Sequence, residues 1–459
     1  MSKIKEIIKK PESKTLEFKR DISSHEKIVQ TIIAFANSSG GKIFVGVDDD
    51  RNVVGVDDPL DMEERLTSII FDSIAPKILP SIEIIPIDDK QILKIEVYPC
   101  GNLPYFHRKL GREKGVFVRL GSSTRIADTD LIRELERFSK GVSFDSQPCF
   151  GASVDDLDMN YIRALFAGKG LNDERLLKTL NIAVEEQNKL IPTNGGIILF
   201  AKERTQFFSD LFIQCARFAG KTKAEFIDHI EIYEKPVEAI NQIEIFLKKH
   251  ALRGFALDGM RRIDNWNIPI IALREIIVNA IVHADYSVKG IPMRVAIYDD
   301  RIEIENAGYF LPGITIENII SGTSRIRNPV IARIFRELNL IEQWGSGIPR
   351  IFKQITDFGL NEPKLTEYSG RISFVLSVNM HEFVGVNVGD VGVNVGVNEI
   401  QDKIIRLLSD DNKITLKKMS EILEVNEKTI ERNIKKLKEL GLVERVGSDK
   451  TGEWKVKNV

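Results

Sequence analysis

The stretch between Ile268 and Gly290, IPIIALREIIVNAIVHADYSVKG, constrains this chain more than any other. Ile271, Leu273, Ile276, Ile277, Ala280 and Ile281 recur at helical spacing and define an apolar face. Glu275, Asn279 and His283 fall four apart and therefore share a second, polar stripe. The spacing predicts a helix with one face for a core and another for chemistry. A carboxylate and a carboxamide one turn apart can bind a hydrated Mg²⁺ and its water, because Mg²⁺ keeps several waters and takes few protein ligands. On its own the stripe is read more readily as merely solvated, and the surrounding sequence is what brings the metal reading forward.

With 459 residues the chain exceeds one hydrophobic core, and a prior of roughly 150 residues per domain predicts about three. A hydrophobic content of 43% is ordinary for globular protein, and the formal net charge of −2 provides no global attraction to nucleic acid. Any nucleic-acid site must be a local patch. The opening MSKIKEIIKKPESK has no apolar signal core, and runs such as IPIIAL fall short of a membrane span, so a cytoplasmic protein without membrane segments is expected. Cys100, Cys149 and Cys215 are scattered and odd in number, which predicts inert thiols rather than disulfides or a zinc cluster.

Near the start, PESKTLEFKRD predicts a strand, the segment from Glu26 to Asn37 a helix, and Ile43 to Val47 a second strand after the Gly40-Gly41 turn. Further on, RKLGREKGVFVRLGSSTRIAD places Arg108, Lys109, Arg112, Lys114, Arg119 and Arg125 around a strand and a Gly-Ser turn, just after Tyr105 and Phe106. Such a stretch suits phosphate binding, and a solvated basic hairpin fits it as well. The run E-x4-E-F-K, then AFANSSGGKIFVGVDD, then VRLGSSTR resembles the Schlafen/AlbA-type nucleic-acid-binding domain, over roughly Lys10 to Phe138. The resemblance implies a module that binds DNA or RNA. In Schlafen nucleases two glutamates and an aspartate hold divalent metal, Mg²⁺ or Mn²⁺, and the matching positions are Glu12, Glu17 and Asp48. Without that chemistry, Glu17 would pair with Lys19 or Lys42, and Asp48 and Asp49 would end a strand.

The acidic, turn-rich stretch from Asp145 to Asn160 predicts a domain boundary, followed by helices near Asp158 to Phe166 and Asp173 to Leu180. PTNGGIILFA and LFIQCARFAG are predicted strands, and a long amphipathic helix is predicted from Pro236 to Leu252. After the helix described first come two strands in MRVAIYDDRIEIENAG, a short helix in LPGITIENII, the polar loop SGTSRIRNP with Arg325 and Arg327, and two helices around Gly345-Ser346-Gly347. This order resembles the GHKL ATPase fold, and HADY, DDRIEIENAG, SRIRNP and EQWGSGI resemble the divergent GHKL-type module labelled RecG-helicase-like, over about Pro192 to Val378. No GxxxxGK[ST] loop accompanies it, so helicase activity is not expected. The resemblance implies ATP bound with Mg²⁺, Glu275 as the base that orients water, Asn279 as the Mg²⁺ ligand, and Gly345 and Gly347 admitting phosphates to backbone amides. Glu305, Asn306 and Gly308 stand where such ATPases have an adenine-contacting D-x-G-x-G. With glutamate for that aspartate and the second glycine missing, hydrolysis is expected to be slow at most.

In the tail, VGVNVGDVGVNVGVN is either a flexible tether or a strand that pairs with its copy in another subunit. From Ile400, three helices and a two-stranded wing are predicted, a pattern that resembles the winged helix-turn-helix of bacterial regulators. Ile430, Ile434 and Leu437 would face inward, leaving Lys428, Thr429, Arg432, Asn433 and Lys436 for DNA. With 14 basic and 11 acidic residues from Ile400 on, a protein-binding winged helix also fits. The predicted whole is an α+β multidomain protein. It comprises a Schlafen/AlbA-like α+β domain (1–150), a GHKL-like α/β sandwich with preceding helices (151–380), a Gly/Val/Asn tether (381–399) and a winged helix (400–459). A nucleotide-responsive, ATP-binding transcription regulator forming a homo-oligomer is expected, with a metal-dependent endoribonuclease acting on tRNA or other RNA as the alternative and a scaffold with two dead pockets as a third reading.

Overall fold

The computed structural model describes residues 2–99, 101–250, 253–258, 261–341, 347–378 and, toward the C-terminus, 403–404, 407–408, 411–423, 425–439, 443–446 and 453–456. Gly345, Ser346, Cys100 and the expected tether 381–399 lie outside the described residues. The chain divides into two compact units, 1–252 with 266–385 and 253–265 with 386–459.

In the first unit, the strand Leu16–Lys19 pairs in parallel with Gly41–Val45, and the helix His25–Ala36 is the crossover between them. Lys90–Val97 and Ser81–Ile87 extend the sheet antiparallel. The helix buries Ile28, Val29, Ile32, Ile33 and Phe35 against that sheet, and each such side chain contributes about 1.5–3 kcal/mol when removed from water. Gly41 must be glycine because a Cβ there would lie 2.8 Å from the Phe35 ring. The asparagine of AFANSSGGK is a staple: Asn37 Nδ2 donates to the carbonyls of Tyr105 (2.7 Å) and Phe117 (2.9 Å), and its Oδ1 accepts from Tyr105 N (2.7 Å).

The second core of this unit is built on a six-stranded sheet, in the order Phe226–Ile232, Ile213–Phe218, Met293–Ile297, Arg301–Ala307, Arg371–Ser377 and Lys364–Tyr368. Ile213–Phe218 and Met293–Ile297 run parallel, and the other neighbours are antiparallel. The expected helix occupies Ile270–His283 and packs with Pro236–His250, Gly347–Asp357 and the strand Arg301–Ala307. Two expectations fail here. PTNGGIILFA is not a strand but the helix Asn194–Phe200, with Thr193 Oγ1 accepting from Gly196 N at 3.0 Å. All seven of its residues are buried, so the run lacks the one-sided period that marks a helix in sequence. Ile271, assigned to the apolar face, is 76% exposed, while Ala272, Val278 and Val282 are buried instead.

The second unit contains, except for Trp266, the two-stranded ribbon Arg253–Asp258 with Arg261–Trp266, which the sequence did not suggest, and the winged helix. Helices Leu416–Leu423 and Glu427–Glu439 precede a wing of Val443–Val446 and Glu453–Val456. Ile430, Ile434 and Leu437 are buried, as expected, with Met419 and Trp454. Among the described residues no helix is long and apolar enough to cross a membrane.

Candidate functional site

Helix Ile270–His283 lies beside the strand Arg301–Ala307, and a cavity of about 640 Å³ opens between them, roofed by the loop from Tyr309 to Arg327. The polar stripe read from the sequence faces into it, since Glu275, Asn279 and His283 all line the wall. Gly347, the first residue of helix Gly347–Asp357, closes against them: a Cβ there would stand 2.7 Å from Glu275 Oε1 and 3.9 Å from Asn279 Nδ2. With no side chain at Gly347 the helix terminus approaches this pair without displacing the Glu275 carboxylate. Burial pushes the His283 imidazole down to about 4, so it is neutral at physiological pH.

The adenine triplet is corrected by strand alternation. Asn306 shares the cavity face of the strand with Ile304, whereas Glu305 points to the other face. There Glu305 accepts from the Tyr368 hydroxyl and lies 4.0 Å from Arg371 Nη1. Gly308 does not line the cavity either. Its φ of +111° turns the chain out of the strand, and a Cβ would lie 2.9 Å from Asp285 Cβ. Of the three, Asn306 alone can meet a ligand in this cavity.

Four arginines that sequence reasoning left without a site role also line the cavity. Arg274 pairs with Glu244 at 2.9 Å, and Arg350 pairs with Glu275 at 2.9 Å. Arg327 is buried between Glu134 and Asp285 (3.4 Å to the latter) and donates to the Tyr309 carbonyl. Burial pushes its guanidinium down to about 10, still charged at neutral pH. Arg325 donates to the Pro312 carbonyl at 3.0 Å and lies over the Phe138 ring, 5.2 Å from its centroid; no described carboxylate pairs with it. The run SRIRNP was the available signal for two of these residues, but their positions depend on the loop's path. A second cavity, about 720 Å³, contains none of the expected site residues.

In the first core the three carboxylates proposed for metal are directed elsewhere. Glu17 is buried and pairs with Lys19 and with Arg119 (2.9 Å). Glu12 accepts from Phe18 N at 3.0 Å, and Asp48 accepts from Asn52 N at 2.7 Å. The Asn52 amide bonds hold the Asp48 carboxyl below its usual range. Among the described residues no three His, Cys, Asp or Glu side chains are grouped to hold a metal ion. Arg119 is corrected as a phosphate contact: it is 2% exposed, and its guanidinium is taken up by Glu17, the Ser13 carbonyl (2.8 Å) and Thr124 Oγ1 (3.1 Å). Arg125, on the strand Ser123–Ile126, is exposed, as are Arg108, Lys109, Arg112 and Lys114.

On the winged helix, Lys428, Arg432 and Lys436 are exposed along Glu427–Glu439. Thr429 is half-buried, its amide and hydroxyl both donating to Asn426 Oδ1 at 2.9 Å. Asn433 is not available to DNA as expected, being buried and donating to the Thr429 carbonyl at 2.8 Å.

Fold and sites together define an α+β multidomain protein that joins an AlbA-like region, a GHKL-like region with a ligand-sized cavity, and a helix-turn-helix region. Family comparisons are specific about each part. Residues 12–128 match the Schlafen, AlbA_2 family, residues 290–376 the family described as "Putative ATP-dependent DNA helicase recG C-terminal", and residues 400–450 the HTH domain family. The chain therefore carries a Schlafen/AlbA_2 domain, a RecG-like C-terminal domain and a C-terminal HTH domain. Helix Ile270–His283 lies just before the second matched stretch. Among solved structures, the DIP2311 protein from Corynebacterium diphtheriae is similar at 18% identity, with 97% of this chain and 92% of that one covered and a TM-score of 0.43. The N-terminal domain of a RecG-related protein from Nitrosomonas europaea is 24% identical over 24% of this chain and 80% of its own, with a TM-score of 0.19. At these TM-scores the likeness carries no functional weight. No curated protein matches the chain.

Proposed function

We propose that this protein is a nucleotide-responsive, DNA-binding transcription regulator of the cytoplasm that works as a homo-oligomer. The observation that supports nucleotide binding best is the convergence of Glu275, Asn279 and Gly347 on one cavity, with Asn306 on the sheet side. Its volume falls within the range of small-molecule sites. ATP with Mg²⁺ would supply a polyphosphate and a bridging cation there, and Asn279 would hold the Mg²⁺ in a shell otherwise made of phosphate oxygens and water. The backbone amides at Gly347 favour an anion because they begin an eleven-residue helix. Asn306 offers one donor group and one acceptor for a base edge. Glu275 is paired with Arg350 through one oxygen, and the nearby positive charge competes with a water for the carboxylate, which favours a binding site over rapid turnover. The winged helix would read DNA through Lys428, Arg432 and Lys436.

The test is thermal unfolding with Mg-ATP. A ligand at about 100 times its Kd adds roughly 2.7 kcal/mol, and Asn279→Ala is expected to abolish that gain. A wild type that no nucleotide stabilises overturns the reading, and light scattering checks the assembly state. The endoribonuclease reading has less support, because Glu17 is already neutralised by Lys19 and Arg119. Incubation with tRNA and Mg²⁺ or Mn²⁺ is expected to leave the RNA intact. Cleavage lost in Glu17→Gln would reverse that order.

A further inference from the structure

The roof of the cavity, Tyr309 to Arg327, is also one of the parts of the RecG-like region that touch the AlbA-like one. Gly313 N donates to the Ser38 carbonyl at 2.9 Å, and Ser39 Oγ donates to the Ile314 carbonyl at 2.7 Å. Lys14 lies over the Phe310 ring at 5.4 Å and pairs with Glu367 at 2.5 Å, while Glu367 also accepts from Phe310 N at 2.6 Å. Arg325, the cavity arginine that no described carboxylate neutralises, rests on Phe138. The roof is thus held from two sides, by bonds within its own region, such as Arg325 to the Pro312 carbonyl and Phe310 N to Glu367, and by side chains and backbone of the AlbA-like region.

We propose that the AlbA-like region is a structural component of the nucleotide site: Ser38 and Ser39 clamp the roof loop, and Phe138 is a positioning residue that holds Arg325 at the cavity wall to meet the phosphates. The proposal rests on the nucleotide reading of the cavity and adds what prepares it. A loop ordered before the ligand arrives costs less to bind than one ordered by the ligand, and a guanidinium over an aromatic face keeps its charge for a later anion. Coupling between the two regions is reciprocal, so a partner that disturbs the Ser38–Ser39 contact weakens nucleotide affinity, and nucleotide strengthens that contact.

The experiment uses the full chain with Phe138→Leu and, separately, Ser39→Ala, since neither residue lines the cavity. Hydrogen exchange of the 309–327 amides is measured without ligand, and affinities for Mg-ATP and adenosine are measured by calorimetry. Both variants are expected to exchange faster in the roof than the wild type. Phe138→Leu is expected to bind Mg-ATP roughly fivefold more weakly while holding adenosine nearly as well, because only phosphates meet Arg325. A wild type that binds neither compound removes the nucleotide reading and this proposal with it. Wild-type binding with unchanged roof exchange, or with unchanged Mg-ATP affinity in both variants, overturns the proposal alone. Equal losses for ATP and adenosine in Phe138→Leu refute the positioning role.

Discussion

Replacing Arg327 by methionine tests whether the two cores of the first unit depend on one buried ion cluster. Arg327 is 9% exposed and lies against Glu134 of the first core and Asp285 of the second. Methionine keeps the apolar stem and removes the charge, leaving two carboxylates buried near each other without a cation. Removing one partner of such a pair costs about 3–5 kcal/mol, because the remaining charge has lost both water and its counter-ion. For a domain of this size about 1 kcal/mol corresponds to roughly 2–4 °C, so the transition that reports the first unit should fall by about 6–20 °C in calorimetry. Glu134→Gln should relieve part of this loss when added to Arg327→Met, with a coupling of about 1–3 kcal/mol between the two. A chain with several cores need not unfold in one step, so the scans are fitted as separate transitions. A shift below about 2 °C, or strictly additive losses, would refute the reasoning.

Three further perturbations follow from the same contacts. Burial raises the Asp145 carboxyl to about 6, although it accepts from Val330 N (2.7 Å) and Ile331 N (3.0 Å). The folded chain therefore binds that proton more tightly than the unfolded one, and its contribution is present below about pH 4 and lost as pH rises through about 6. At about 1.4 kcal/mol per pKa unit, the stability of wild type relative to Asp145→Asn should fall by roughly 3 kcal/mol between pH 4 and pH 7, and a flat difference would contradict this. Arg125→Ala should weaken nucleic-acid binding by the first region and make its salt dependence shallower by about one unit, whereas Arg119→Ala should chiefly lower the melting temperature, because the buried Glu17 then keeps Lys19 as its only ion-pair partner among the described residues and the Ser13 carbonyl loses its donor. Arg432→Ala should weaken DNA binding by the full chain, with loss confined to particular sequences if the residue reads bases and a uniform loss if it holds phosphate; filter binding that does not change would remove Arg432 from the interface.

Local pattern was enough wherever the chemistry lies along one element. Glu275, Asn279 and His283 reach the same cavity because residues four apart on a helix must share a face, and Ile430, Ile434 and Leu437 are buried for the same reason. The family likenesses were legible too, since they reside in contiguous runs such as AFANSSGGKIFVGVDD and SRIRNP. Glu305 and Asn306 show the limit: a strand's alternation is written in the sequence, but which face looks into the cavity depends on the helix that covers it. The helix at Asn194 was hidden because it is buried on every side, which removes the contrast that periodicity needs. Arg119 was misread because the carboxylate that consumes its charge comes from a strand about a hundred residues away. The modules and the stripes that carry their chemistry could be read along the chain, because they depend on neighbours within one element. Which charges are spent on each other and which, like Arg325, line the cavity without a described carboxylate depended on the tertiary structure, because the Coulomb partners of a buried group are chosen by packing across the fold.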